Sequence, residues 1–216
     1  VPAADGAATW HFAPTKKMST YITALVAGDY HEVRDTYDGD FSQIPLGVFC
    51  RQSLVPFLDA DDIFLITKQG FEFFEGAFEM GYPFGKYDQL FVPEYNMGAM
   101  ENAGCVTFRD EMIFRSRQTV AAYEQRANTA YRQDQLPSTH PIAADNYDLH
   151  AVEANFDGIT YAKGASALKQ LVAWVGEDDF FAGLRQYFTK HAYSNTELSD
   201  LLAELSAASG RELDSW

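Results

Sequence analysis

The chain has 216 residues and is 47% hydrophobic, enough for one large globular domain or somewhat more. Its 31 Asp and Glu against 16 Lys and Arg give a net charge of -15. That excess excludes a nucleic-acid binder and docking on anionic membranes, and it suits cationic ligands.

In chain order, the first strand signals fall within residues 10–35. VPAADGAATW has neither the basic nor the apolar region of a signal peptide, and with no Met it reads as a piece of a longer chain. Residues 10–35 are predicted as strands, because STYITALVAGDYHEV is rich in β-branched and aromatic residues and breaks only at Gly28-Asp29. IPLGVFCRQ (44–52) is a further strand. DADDIFLITKQGFEFFEGAFEMG predicts an amphipathic helix, with Asp59, Asp61 and Asp62 at its start and Gly81 at its end. Its apolar residues are Ile63, Leu65, Ile66, Phe71, Phe73, Phe74 and Phe78. YDQLFVPE and GCVTFRDEMIF read as short strands flanking a glycine-rich stretch.

QTVAAYEQRANTAY (118–131) reads as helix, and QLPSTHPIAADNYD as a loop of turn formers. The last third is helical. YAKGASALKQLVAWV spaces Leu168, Leu171, Val172 and Val175 at i, i+3, i+4 and i+7, and Gly176 ends it. EDDFFAGLRQYFTKH starts acidic and ends basic, matching the helix dipole. SNTE predicts a capping box between Ser194 and Glu197 before the last helix, which Gly210 closes. Strands first and helices last predict an α+β fold. No run approaches the ~20 apolar residues of a membrane span. Cys50 and Cys105 form neither a framework nor a C-x-x-C pair, so a reducing, cytoplasmic compartment is expected.

The residues with chemical potential are few. None of His11, His31, His140, His150 and His191 has the i, i+4 partner of a helical zinc site. HEVRD (31–35) puts Asp35 where H-E-x-x-H needs its second His. It also lies in strand-like sequence, where i and i+4 stand ~13 Å apart. His140 and His150 read as hydrogen-bonded loop residues. In YNMGAMENAGCV, Gly98, Ala99, Asn102, Ala103 and Gly104 surround one carboxylate, Glu101. Small side chains admit another backbone, and a lone acid among them can receive a positive charge.

GAMEN (98–102) resembles the exopeptidase motif of the aminopeptidase N family of zinc metallopeptidases. FDGITYAKGA (156–165) resembles the tyrosine segment of that family, and DQLPSTHPI and STYITALVAGDY are also similar to family sequence. The resemblance implies the end of a β-rich N-terminal domain over residues 1–40. A thermolysin-like catalytic domain over residues 41–216 would follow. It implies an aminopeptidase acting on peptides with a free N-terminus, with Zn2+ as cofactor. Glu101 would bind the α-amino group, and Gly98 and Ala99 would offer backbone groups to the substrate. Met100 would cushion the first side chain, with Asn102 in the same substrate-binding motif. Tyr161 would donate a hydrogen bond to the oxyanion of the tetrahedral intermediate.

The departure from the family lies between Thr129 and Ala130. Family members carry there a helix with H-E-x-x-H and a second helix with a glutamate ligand. Here AYRQDQLPSTHP follows directly, and it resembles sequence beyond both helices. The resemblance therefore implies a domain lacking its zinc-binding helices, with no metal ligands in this chain. A second reading follows, a module that binds peptide N-termini without cleaving them.

Overall fold

A computed structural model describes residues 8–114 and 130–214. The helix expected over 118–131 falls outside the described residues except for its end, where residues 130–133 are helical. The chain divides into two compact units, Val1–Phe114 with His191–Thr196, and Arg115–Lys190 with Glu197–Trp216.

The first unit is built on a five-stranded mixed sheet, and with the helices that follow the α+β expectation holds. Its strands are β1 (Tyr30–Asp38), β2 (Gln43–Arg51), β3 (Tyr87–Val92), β4 (Ala99–Met100) and β5 (Cys105–Arg109), in the order β1-β2-β3-β5-β4. β1 and β2 straddle residue 40 and pair antiparallel from Tyr30↔Arg51 to Asp38↔Gln43. β2, β3 and β5 run parallel, and β4 returns antiparallel to β5. β2 shows why IPLGVFCRQ is a strand. Ile44, Leu46, Val48 and Cys50 alternate onto the core face, where they meet Tyr37, Phe64 and Phe91.

Only the end of the expected 10–35 strand region forms strand. Residues 9–29 are irregular apart from a 3-10 turn at Thr20–Ile22, and Trp10, Phe12 and Leu25 are exposed. A strand is held by ladder bonds to a neighbour, and no such ladder forms on residues 9–29 among the described residues.

Helix α1 (Ala60–Phe78) connects β2 to β3. The Asp59 carboxylate caps it by accepting from the Asp62 amide at 3.2 Å. Its stop is Glu79 in the left-handed region (φ 52°), not Gly81. Gly81 serves packing instead, since a Cβ there would lie 2.9 Å from the Phe41 carbonyl oxygen. The helix buries Phe64, Glu75 and part of Ile63 and Phe71, whereas Leu65, Ile66, Phe73 and Phe74 face solvent. Glu75 is buried with its charge spread over three donors: Tyr37 Oη at 3.1 Å, the Tyr82 amide at 3.1 Å, and Ser42 Oγ. In GCVTFRDEMIF the strand stops at Arg109. Glu111–Phe114 is a helical turn (α2), because the Ile113 and Phe114 amides fold back onto the Asp110 carbonyl.

The regular elements among the described residues of the second unit are helical: α3 (Leu149–Asn155), a π-helical turn (Ile159–Lys163), α4 (Gly164–Val175), α5 (Glu177–His191, whose last residue groups with the first unit) and α6 (Leu198–Ser209). Leu171, Val175, Leu205 and Leu213 form its core. Gly176 (φ 98°) and Gly210 (φ 67°) end α4 and α6 as the sequence predicts. The capping box sits three residues later than expected, on Glu197 and Asp200. Ser194 is already used, its amide closing the end of α5 on the His191 carbonyl at 3.0 Å.

Candidate functional site

The GAMEN segment forms the sheet edge and the turn beyond it. β4 contains Ala99 and Met100, which pair with Phe108 and Thr107, and the Arg109 amide donates to the Gly98 carbonyl at 2.9 Å. One side of β4 is thus satisfied by β5, and the other is the end of the sheet. Gly98, Ala99 and Glu101 are exposed, and Met100 is half-buried. Residues 102–105 then fold back sharply, with the Cys105 amide on the Asn102 carbonyl at 3.0 Å. Gly104 (φ 69°) is needed there, because a Cβ would sit 3.1 Å from the Lys86 carbonyl oxygen at a left-handed backbone. Its amide donates to Tyr82 Oη at 3.1 Å.

Inside the turn, Asn102 is buried and its amide is committed at both ends. Nδ2 donates to the Ile22 carbonyl at 3.1 Å, and Oδ1 accepts from Thr107 Oγ1 at 2.9 Å. Glu101 is exposed and accepts from Tyr21 Oη at 2.9 Å. The Tyr21 phenol is held above its ordinary range by that bond first, then by burial and by the charge of Glu101. No Lys or Arg forms an ion pair with Glu101 among the described residues.

Tyr161 belongs to the second unit and sits in the π-helical turn, its ring 60% exposed and edge-on to Phe156 at 5.2 Å. Single π turns concentrate at functional sites. Asp157 builds this one. Its Oδ1 accepts from the amides of Ile159 (2.9 Å) and Thr160 (3.1 Å), and its carbonyl accepts from the Tyr161 amide (3.2 Å). Its Oδ2 accepts from His140 Nε2 at 3.1 Å and from Gln133 Nε2. Sequence reasoning missed Asp157. The signal available was Asp157-Gly158 directly before the Ile159-Thr160 that opens the turn, a helix-cap pattern. His140 is hydrogen-bonded and in a loop as expected, whereas His150 lies in α3. Asp148 caps that helix through the Ala151 amide at 2.8 Å, which carries His150 into its first turn.

Both His140 partners are acceptors only, since Nδ1 lies 2.8 Å from the Pro141 carbonyl oxygen and Nε2 faces a carboxylate. The ring must donate twice, which favours the imidazolium. The Pro141 carbonyl and then Asp157 raise the His140 pKa. Burial opposes ionisation of Asp157, but the Thr160 amide, His140 and the Ile159 amide outweigh it and hold its pKa low. The raised His140 pKa gives stability that is complete below about pH 6.5 and lost as pH rises through the folded value. The lowered Asp157 pKa gives stability present above about pH 3.9 and lost as pH falls through its folded value. Asp134 and Lys163 also act on His140, and they pair with each other at 2.8 Å. Thermal unfolding followed between pH 5 and 9 is expected to show a decline on the alkaline side that His140→Gln removes. An unchanged profile in that variant would refute the assignment.

The donors present do not fit a zinc centre. Among the described residues no three His, Cys, Asp or Glu side chains are grouped to hold a metal ion. All five histidines lie in that part of the chain, and residues 115–129 contain one acid, Glu124, and no His or Cys. HEVRD is strand as expected, with His31 opposite Cys50 and Asp35 opposite Leu46.

The two motifs are thus an exposed sheet edge ending at Glu101 in the first unit and, in the second, Tyr161 on a π turn braced by Asp157. The family model described as the Peptidase family M1 domain matches residues 64–131 and 112–216, so the chain belongs to peptidase family M1. It is 48% identical to Aminopeptidase N of Streptomyces lividans over 266 aligned positions, 96% of this chain and 31% of the relative. It is 29% identical to Probable aminopeptidase 1 of Saccharolobus solfataricus over 269 positions, 97% of this chain and 33% of the relative. It is 27% identical to Aminopeptidase 2 of Candida albicans over 268 positions, 95% of this chain and 28% of the relative. The chain spans about a third of the length of these curated relatives. The alignment lengths exceed what the chain supplies. Since 96% of 216 residues is about 207, about 59 of the 266 positions have no residue in this chain. For the first Saccharolobus relative, 97% is about 210, leaving about 59 of 269.

Proposed function

We propose that this chain is the substrate-positioning part of a zinc aminopeptidase, a family M1 enzyme that removes single residues from peptide N-termini. The observation that carries this reading is the free edge of β4, which ends at an exposed Glu101 bearing no paired cation among the described residues. A peptide adding to that edge gains main-chain hydrogen bonds, and its first side chain lies along Met100. An ammonium at Glu101 then marks where the peptide begins, which is what exopeptidase action requires. Asn102 acts from behind, holding the turn that presents Glu101. Tyr161 supplies an O–H donor for the oxyanion, on which charge develops in the transition state. The relatives named aminopeptidases support the reaction class.

Zinc belongs to the intact family member, and the donors in this chain do not supply its ligands. The family match falls into two overlapping pieces, and about 59 aligned positions are without counterpart. Both features support a missing segment at Thr129–Ala130, between the two substrate-positioning parts. The 216-residue chain is accordingly expected to bind peptide N-termini without turnover. The absence of paired cysteines among the described residues favours a cytoplasmic setting. No described helix is long and apolar enough to cross a membrane.

Calorimetry with a peptide and its N-acetylated twin tests the reading. The free peptide is expected to bind more tightly than the acetylated one, and Glu101→Ala to remove the difference. Equal binding of both peptides by the unsubstituted chain would sink it.

A further inference from the structure

Two consecutive residues of the 3-10 turn meet two consecutive residues of the GAMEN motif, 80 positions away in sequence. Tyr21 Oη donates to Glu101 Oε1 at 2.9 Å, and the Ile22 carbonyl accepts from Asn102 Nδ2 at 3.1 Å. The turn is itself closed by the Thr23 amide on the Thr20 carbonyl at 3.1 Å. Nothing in the sequence patterns singles out Tyr21, which lies in a stretch that reads as strand.

We infer that Tyr21 is a positioning residue of the amino-group site, its hydroxyl holding the Glu101 carboxylate in the orientation that receives a peptide's terminal ammonium. The inference rests on the reading of Glu101 given above. A carboxylate offers about four lone-pair sites, and the phenol occupies one of them. The remainder stay available for the three protons of an ammonium. The donor is neutral, so it orients the carboxylate without cancelling its charge. A Lys or Arg in the same place would compete with the substrate for that charge. Hydrogen bonds to an ionised acceptor are the stronger kind. An exposed glutamate otherwise samples many rotamers, and fixing it beforehand lowers the entropy lost on binding. The buried Asn102 bond to Ile22 keeps the turn, and hence the phenol, in register with the motif.

The test uses the 216-residue chain, a peptide with a free N-terminus and its acetylated twin. Tyr21→Phe removes the hydroxyl and keeps the ring. It is expected to weaken binding of the free peptide by roughly threefold to tenfold and leave the acetylated peptide unchanged. In parallel, tyrosine absorbance is titrated with alkali. Glu101→Gln is expected to lower the midpoint of one phenol, and Tyr21→Phe to remove that phenol from the curve. Undiminished selectivity in Tyr21→Phe, with selectivity lost in Glu101→Ala, would overturn this inference and leave the role of Glu101 standing. Equal weakening of both peptides would reduce Tyr21 to scaffolding and also overturn it. No selectivity in the unsubstituted chain would overturn both readings together. Should Tyr21→Phe fail to fold, the Glu101→Gln titration decides, and an unmoved midpoint counts against the inference.

Discussion

Stoichiometric zinc is expected to be absent from the 216-residue chain and to appear when the missing segment is supplied. A catalytic zinc site takes three protein ligands. The five histidines here lie singly on β1, in loops or on helices, and His140 already spends both ring nitrogens on protein acceptors. Dialysis against micromolar Zn2+ followed by a metal assay should therefore find well under one ion per chain. An aminoacyl chromogenic substrate should be released no faster than in buffer. The second arm inserts the corresponding segment of the Streptomyces lividans relative, about 59 positions, between Thr129 and Ala130. The chimera is expected to bind one zinc and to hydrolyse the substrate. The gain should be at least ~10⁶-fold over the uncatalysed rate, the low end for enzymes. Tight one-to-one zinc binding by the chain as it stands would overturn the assignment.

Tyr161→Phe in that chimera is expected to lower kcat by roughly 10²–10³ with little change in KM, because one oxyanion donor is typically worth that much. In the proposed role the hydroxyl meets charge that develops only in the transition state, so substrate binding should be spared. Phe keeps the edge-on contact with Phe156 and leaves the Asp157 cap of the turn in place. A loss of less than tenfold would remove Tyr161 from the oxyanion role. A parallel rise in KM would place it in ground-state binding instead.

Much of the architecture follows from short-range pattern. The alternation in IPLGVFCRQ gives β2, the acids at Asp59 to Asp62 give the start of α1, and the glycines at 176 and 210 give two helix ends. These features depend on residues within one or two turns of each other, so periodicity and capping chemistry reveal them. The same patterns erred where a local signal met a distant competitor. The segment of α1 reads as an amphipathic helix, yet of its apolar residues Leu65, Ile66, Phe73 and Phe74 are exposed among the described residues, while Phe64 enters the core cluster of the sheet. The strand signal of residues 10–29 has no partner ladder among the described residues to satisfy it. Ser194 loses the cap of α6 to Glu197 because the preceding turn has taken its amide.

The candidate site divides in the same way. GAMEN and the tyrosine segment are contiguous motifs, and the sequence by itself named Glu101 and Tyr161 as candidates, the family that the domain match establishes, and the absence of H-E-x-x-H. Tertiary structure alone decided that Ala99 and Met100 lie at the open end of a five-stranded sheet. That depends on strand order, which no local period encodes. It also decided that Tyr21 reaches Glu101, that Asn102 is spent on Ile22 and Thr107, and that His140 and Asp157 brace the turn carrying Tyr161. Each of these partnerships joins polar groups, side-chain or main-chain, that carry no periodic signal. They become neighbours only through the tertiary fold, and those that it buries, such as Asn102, must find donors and acceptors to replace lost water.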